Sequence, residues 1–300
     1  MTPPGTDAVV HLIDTGPWIF RAWYALPDTV VDSDGFPANA TRGFMDMLLR
    51  YVDEQRPRHI AVAFDGPMRS NFRNALLPGY KASRPKTPPD LARQFDDIRE
   101  LCEGLGLPCY SDPAFEADDL IATLAAQVSQ AGHRVRVVSI DKDLCQCVAQ
   151  NVVLVDDRRG EQDEDDVRTR MGVPPSQVPD LQGLMGDKVD DIPGVDGVGP
   201  KTAAALLKHF TDLEDIYARL DEIPGLPLRG AKTLRRRLEE QRDEAFISRK
   251  LARLATDAPV DTGLDALSWN QVDGPRLERL LQHLAVGDGV RRRVANLPPR

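Results

Sequence analysis

The sequence predicts an α/β fold, a mainly parallel central sheet flanked by helices, with a helical lobe after it. Two patterns lead there. Three short apolar runs each end on an aspartate and are separated by amphipathic helical stretches, the alternation that parallel strands need for their crossovers. Beyond about residue 160 the strand pattern stops and helical periodicity takes over.

The first run, Val9-Val10-His11-Leu12-Ile13, reads as a buried strand that delivers Asp14 at its end. A second, His59 to Phe64, does the same for Asp65, and a third, Arg134 to Ile140, for Asp141. Between them lie helical patterns over Ala38–Glu54, where Phe44, Met47, Leu48 and Tyr51 recur at three- and four-residue spacing, then Asp90–Leu105 and Ala117–Gln130. Ligands of open parallel sheets bind beyond the carboxyl ends of the strands, so the three aspartates are expected at one edge. Residues 66–89 differ, with Arg69, Arg73, Lys81, Arg84 and Lys86 among prolines 67, 78, 85, 88 and 89. That composition suits a mobile loop or an irregular arch over the sheet edge. Helices are expected at Leu213–Leu220, Ala231–Leu254 and Gly274–Leu284. The chain therefore divides into a core over 8–180 with its arch at about 66–95, a lobe over 181–255, and a segment over 256–300 that packs back or is partly mobile. The Arg291-Arg292-Arg293 run in that last segment suits a solvated tail as well as a nucleic-acid contact.

Composition narrows the class. With 300 residues, 41% hydrophobic and 28% charged, the chain can bury a substantial core. No apolar run approaches the roughly 20 residues that span a bilayer. The amino terminus lacks the basic and apolar regions of a signal peptide, which leads to an expected cytoplasmic location. Cys102, Cys109, Cys145 and Cys147 show no C-x-x-C spacing, so reduced thiols are expected rather than structural zinc.

Carboxylates carry the strongest signal. Glu116-Ala117-Asp118-Asp119, Asp141-Lys142-Asp143 and Gly186-Asp187-Lys188-Val189-Asp190-Asp191 place acids in tight groups beside expected element ends. In a low-dielectric cleft such groups repel one another, and divalent cations are the usual remedy. Acids at a helix start also serve as caps, the plainer reading of Glu116–Asp119. Three groups together with two strand-end aspartates favour a shared metal site for phosphoryl transfer. The formal charge of −9 argues against a polyanionic substrate until its distribution is considered. Bases gather in the 69–86 segment and again at Lys201, Lys208, Arg229, Lys232, Arg235, Arg236 and Arg237, an arrangement suited to a nucleic-acid backbone. For Arg235–Arg237 a solvated helix face is the competing reading. Finally, Ile192-Pro193-Gly194-Val195-Asp196-Gly197-Val198-Gly199-Pro200-Lys201-Thr202-Ala203 has the form of a helix-hairpin-helix, whose backbone N–H groups hold phosphates.

Taken in order, these pieces resemble the bacterial 5′ nuclease family, the flap endonucleases and the amino-terminal 5′ nuclease domain of DNA polymerase I. The resemblance rests on Asp14, Phe64-Asp65, Phe72-Arg73, Gly79-Tyr80-Lys81-Ala82-Ser83-Arg84, the three acidic groups and the 193–203 hairpin, and covers most of residues 8–255. It implies a PIN-like nuclease core. One metal site would comprise Asp14, Asp65, Glu116 and Asp118, the other Asp119, Asp141, Asp143, Asp187 and Asp190, with some contacts through water. Lys81 and Arg84 would meet the scissile phosphate. Arg73 and Tyr80 would face substrate. Gly197, Val198, Gly199, Lys201 and Thr202 would hold duplex DNA, with K⁺ at the hairpin. Thr15 and Gly16 depart from the family's usual Gly and polar residue after the first Asp, and Asp191 replaces its usual Asn, an extra carboxylate expected to recruit or tighten a metal.

The expected activity is two-metal-ion hydrolysis, with Mg²⁺ or Mn²⁺, of DNA bearing a 5′ flap, nick or 5′ end, leaving a 5′ phosphate. RNA–DNA hybrid is kept as a second substrate. The protein is expected to be a free-standing monomer without membrane contact. Rival readings are a non-catalytic structure-specific DNA-binding protein and an RNase on a related core.

Overall fold

A computed structural model describes residues 8–66 and 71–297; Pro67 and Arg69 of the expected arch lie outside the described residues. Its centre is a six-stranded sheet of order β3-β2-β1-β4-β5-β6. The strands are β1 (Val9–Asp14), β2 (His59–Ala63), β3 (Cys109–Tyr110), β4 (Arg134–Val138), β5 (Val152–Asp156) and β6 (Gly160–Gln162). All neighbours pair in parallel except β5 and β6. Along β1 and β2 alternate residues enter opposite faces: Val10, Leu12, Ala61 and Ala63 join one core, Ile13, Ile60 and Val62 the other.

Helices cover both faces. Those before the last strand are α1 (Thr15–Ala25), α2 (Asn39–Gln55), α3 (Phe72–Leu76), α4 (Pro89–Gly104) and α5 (Ala117–Gln130). After β6 come α6 (Glu164–Met171), α7 (Val178–Met185), α8 (Pro200–Leu207), α9 (Leu213–Ala218), α10 (Ala231–Glu240), α11 (Arg242–Ala252), α12 (Gly274–His283) and α13 (Asp288–Ala295). One core packs α5 and the later lobe against the sheet; the other packs α1, α2, α4 and α12. Because the chain runs from β1 outward to β2 and β3 and then returns to β4 on the other side, the strand order reverses between β1 and β4. A crevice opens at such a reversal, beyond the carboxyl ends of the strands.

Three differences from the sequence expectation have local causes. The 231–254 helix is two, because Gln241 leaves helical backbone and its side-chain carbonyl accepts from the Asp196 N–H at 2.8 Å. Asp187 and Asp190, whose three-residue spacing would suit one face of a helix, instead sit on a tight loop closed by paired backbone hydrogen bonds between Asp187 and Ile192 at 2.8 Å each. The described part of the 66–89 segment is seated rather than free: α3 follows an Asn71 cap, and Tyr80 packs with Ile192, Leu251 and Ala252.

The carboxy-terminal segment returns to the sheet. Ile60 N–H donates to Leu267 O at 2.8 Å, the Trp269 indole donates to Leu105 O at 2.6 Å, and Leu277, Leu280 and Leu281 of α12 enter the core. In the basic run, Arg291 pairs with Glu278 and Arg293 with Asp53. The four cysteines are free thiols. Among the described residues no helix is long and apolar enough to cross a membrane.

Candidate active site

Asp14 ends β1 and caps the backbone of α1 without spending its carboxylate there. Its Oδ2 instead accepts from the Ser139 hydroxyl at 2.7 Å, which joins β1 to the end of β4. Thr15, the departure from the family pattern, is buried and donates to Ala63 O at 2.7 Å, so it fastens β1 to the end of β2. Asp65 follows β2 and accepts from the Ala117 N–H at 2.9 Å, at the start of α5. Asp118 stands in the first turn of that helix. Asp141 follows β4, where its Oδ1 accepts from the Asp143 N–H at 2.9 Å.

These side chains share one cleft of about 500 Å³ at the strand-order reversal, lined by Asp14, Asp65, Asp118, Asp141 and Asp190, with Lys81 and Arg84. Lys81 has left-handed backbone, φ 54°, and its N–H donates to Asp190 O at 3.0 Å. Its ammonium contacts Glu116 at 2.8 Å and Asp190 at 3.7 Å, while Arg84 pairs with the other Asp190 oxygen. Strained backbone at such a position is typical of sites that must hold a side chain in place. Lys142, also on the cleft wall, bridges Asp143 and Asp187.

Charge in this cleft is under-compensated. Burial raises the Asp14 carboxyl from 3.8 to about 7, with Asp141 and Asp65 pushing the same way against the hydrogen bond from Ser139. Asp118 is raised well above the usual range, by burial first and then by Asp14, Asp141 and Asp65. Asp143 rises to about 6, chiefly by burial and then by Asp141. Hard oxygen donors that resist ionisation in each other's company fit divalent cations of the Mg²⁺ type. Among the described residues, no three potential ligands are yet drawn to a common point, so the carboxylates ring the cleft rather than preform a coordination shell.

The sign of these shifts sets a pH dependence. Carboxyls raised in the fold contribute stability below about pH 4, and that contribution is lost as pH rises through about 6 to 7. Cations need the ionised forms. The stabilisation by Mn²⁺ over EDTA, read as a shift in thermal midpoint, is therefore expected to grow from about pH 5 to about pH 8. A pH-independent shift would remove these carboxylates from the binding site.

Several expected site residues serve elsewhere. Asp119 is fully buried and accepts four hydrogen bonds, from Arg73 Nη1 at 2.6 Å, Arg73 Nη2 at 2.8 Å, Glu116 N at 3.1 Å and Ala255 N at 2.8 Å. That is a full complement of lone pairs, which leaves none for a metal. Arg73 faces inward for the same reason: it is 1% exposed and also donates to Leu251 O and Arg253 O. Tyr80 is buried, its hydroxyl donating to Glu116 at 3.1 Å. Glu116 is held by Tyr80 and Lys81 and stands behind the cleft wall. Asp191 has φ 56°, a left-handed conformation that Asn and Asp tolerate, and its Oδ2 accepts from the Ser83 N–H at 2.8 Å. Asp191 thus meets a backbone requirement, and it does not line the cleft.

Other cleft residues were not anticipated. Phe20, Ile140 and Val189 line it with 42%, 41% and 65% of their surface exposed, an apolar rim beside charge. Arg170 joins them. Phe20 lies on α1, a helix absent from the sequence expectation, which had read this stretch only as far as the strand end at Asp14.

The hairpin lies directly after the 187–192 loop. Gly194 has φ 66°, and a Cβ there would meet Gly186 N at 2.2 Å. Gly197 has φ 73°, and a Cβ would meet the Arg237 guanidinium at 2.1 Å. At Gly194 the neighbour is backbone, so only glycine allows the approach; at Gly197 the arginine tip can move, and the left-handed φ is what glycine serves. Gly197, Gly199 and Lys201 are exposed, Thr202 is half-buried, and Val198 is buried as the hairpin's anchor. Of the second basic patch, Arg235 pairs with Asp221 and Glu239, and Arg236 with Glu240, so that part is a solvated, self-paired helix face.

Residues 9–172 match the family described as 5′-3′ exonuclease, N-terminal resolvase-like domain, and residues 173–275 match 5′-3′ exonuclease, C-terminal SAM fold. The 5′-3′ exonuclease of Aquifex aeolicus is 35% identical over 276 residues, covering 92% of this chain and 91% of the relative. The chain belongs to the 5′-3′ exonuclease family. DNA polymerase I of Bacillus caldotenax is 39% identical over 91% of this chain, which spans 31% of that relative's length. In fold the chain is similar to the bacteriophage T5 flap endonuclease, solved in a pseudo-enzyme–product complex with DNA and metal ions. The TM-score is 0.66 at 20% identity, over 96% of this chain and 97% of that one. As a family member the chain is a nuclease.

Proposed function

We propose that this 5′-3′ exonuclease family member hydrolyses phosphodiesters near 5′ ends and at 5′ flaps of duplex DNA, with Mg²⁺ or Mn²⁺ held by Asp14, Asp65, Asp118 and Asp141. The observation that carries this reading is the single cleft in which those four carboxylates face Lys81 and Arg84. When bound, the divalent ions supply charge neutralisation for the attacking and departing oxygens.

The chain's own groups do the rest. Lys81 and Arg84 stand where they can meet a phosphate held against the carboxylates and stabilise charge that develops on its oxygens. Phe20, exposed on the cleft wall, offers a face on which an unpaired base can stack. Asp190 positions both cations, through its backbone carbonyl to Lys81 and its carboxylate to Arg84. The exposed amides around Gly197 and Gly199, with Lys201, suit a duplex backbone a fixed step from the cleft, since the 187–192 loop and the hairpin are continuous. K⁺ at the hairpin, RNA–DNA hybrid as a second substrate and action as a monomer extend the same reading.

A labelled 5′ flap, a nicked duplex and single-stranded DNA, each with Mg²⁺, Mn²⁺ or EDTA, test it. Cutting close to the flap junction in either metal and none in EDTA is expected. Turnover that survives EDTA, or single strands cut as fast as flaps, would defeat the assignment.

A further inference from the structure

We propose that the hollow at the amino-terminal ends of β1, β2 and β4 is a second ligand site, one that binds a phosphate dianion, free or carried by a mononucleotide. It lies at the opposite end of the sheet from the carboxylate cleft, separated from it by the length of β1, roughly 16 Å at the usual rise per residue. Its volume is about 460 Å³, and its wall is made by Val9, His11, Arg56, Arg58, His59 and Arg136 among others. That volume falls in the range of small-molecule sites and exceeds what a bare phosphate fills.

The chemistry of the wall is one-sided. Among the described residues no aspartate or glutamate lines this hollow, whereas three arginines and two histidines do. The Arg56 and Arg58 side chains are exposed and form no ion pair or hydrogen bond among the described residues. Arg136 gives one terminal nitrogen to Glu161, but its buried Nε has no hydrogen-bond partner among the described residues. Burial and the nearby Arg136 hold His11 down from 6.5 to about 4, and His59 is lowered by burial and by Arg58. Beyond burial, Arg136 and Arg58 push the two histidines the way a positive field does, and Arg56 and Arg58 have no counter-charge among the described residues. Guanidinium forks match phosphate oxygens in pairs, and the Val9 wall suits a base better than bulk water does.

The test uses the full chain in EDTA, which keeps metal-assisted phosphate binding at the carboxylate cleft out of the measurement. Inorganic phosphate, dAMP and deoxyadenosine are titrated at constant ionic strength by calorimetry, against wild type, the Arg56→Gln/Arg58→Gln double variant and Lys201→Ala. Saturable binding of dAMP or phosphate is expected, weakened about tenfold or more in the double variant and unchanged in Lys201→Ala, with no binding of deoxyadenosine. Tighter binding of dAMP than of phosphate assigns the site to a nucleotide, and equal binding assigns it to phosphate itself. No saturable binding, equal binding by the double variant, or loss in Lys201→Ala instead would each overturn the proposal. Both substituted arginines are exposed and unpaired, so the double variant is expected to keep the wild-type thermal midpoint and metal-dependent cleavage.

Discussion

Asp118→Asn is expected to stabilise the metal-free protein while reducing DNA cleavage by a factor on the order of 10³ or more. The two effects share one cause. Among the described residues Asp118 has no hydrogen bond or ion pair of its own, and its charged form is opposed by burial and by Asp14, Asp141 and Asp65. Asparagine keeps the shape and removes the repulsion. A gain on the order of 1 kcal/mol in EDTA at neutral pH is expected, a few degrees in thermal midpoint. The same change removes a hard anionic donor from the centre of the cleft, so the stabilising effect of added Mn²⁺ shrinks and turnover falls. Asp141→Asn makes a useful comparison, because the retained amide oxygen can still accept from the Asp143 N–H, so the turn survives while the charge is lost. Binding of flap DNA in EDTA should remain within a few-fold of wild type for both variants. A destabilised Asp118→Asn protein that still cleaves would show that Asp118 is structural and that the cleft lies elsewhere.

How far this was readable from sequence depends on the range of the interaction. Asp14, Asp65 and Asp141 were legible because a parallel strand buried on both faces is a continuous apolar run, and the first residue beyond it stands at the sheet edge. The reversal of strand order that opens the cleft follows from pairing partners, which no local pattern announces. The Glu116–Asp119 group shows the limit most clearly. Spacing puts Glu116 and Asp119 on one side of a helix start, yet only Asp118 lines the cleft, because Asp119 is claimed by Arg73, 46 positions earlier. Likewise the 187–191 acids were legible as a group but not as a loop, since the closing Asp187–Ile192 pairing and the backbone of Asp191 follow from the glycines at 186 and 194 meeting in space. Arg73 itself, in a basic and proline-rich stretch, carries no sign in its neighbours that it is among the most buried side chains in the protein.

That burial leads to the largest expected stability change. Arg73→Met should destabilise the protein by about 3–5 kcal/mol in urea denaturation, the usual consequence of removing one partner from a buried pair. Asp119 would remain fully enclosed with two amides in place of four donors, and the Leu251 and Arg253 carbonyls would lose theirs. Arg73 also ties α3 to the end of α11, and α3 leads directly into Tyr80 and Lys81, so loosening it should lower turnover more than DNA affinity. The double variant Arg73→Met/Asp119→Leu discriminates between the charge and the contacts. With both charges gone the desolvation penalty disappears, and part of the loss should return, about half on the magnitudes typical of buried hydrogen bonds. Full recovery is not expected, because the Ala255 and Glu116 amides and the Leu251 carbonyl are still left without partners. A cost below about 1 kcal/mol for Arg73→Met alone would mean that Arg73 can swing outward, and would return it to the substrate-facing role that the family resemblance implies.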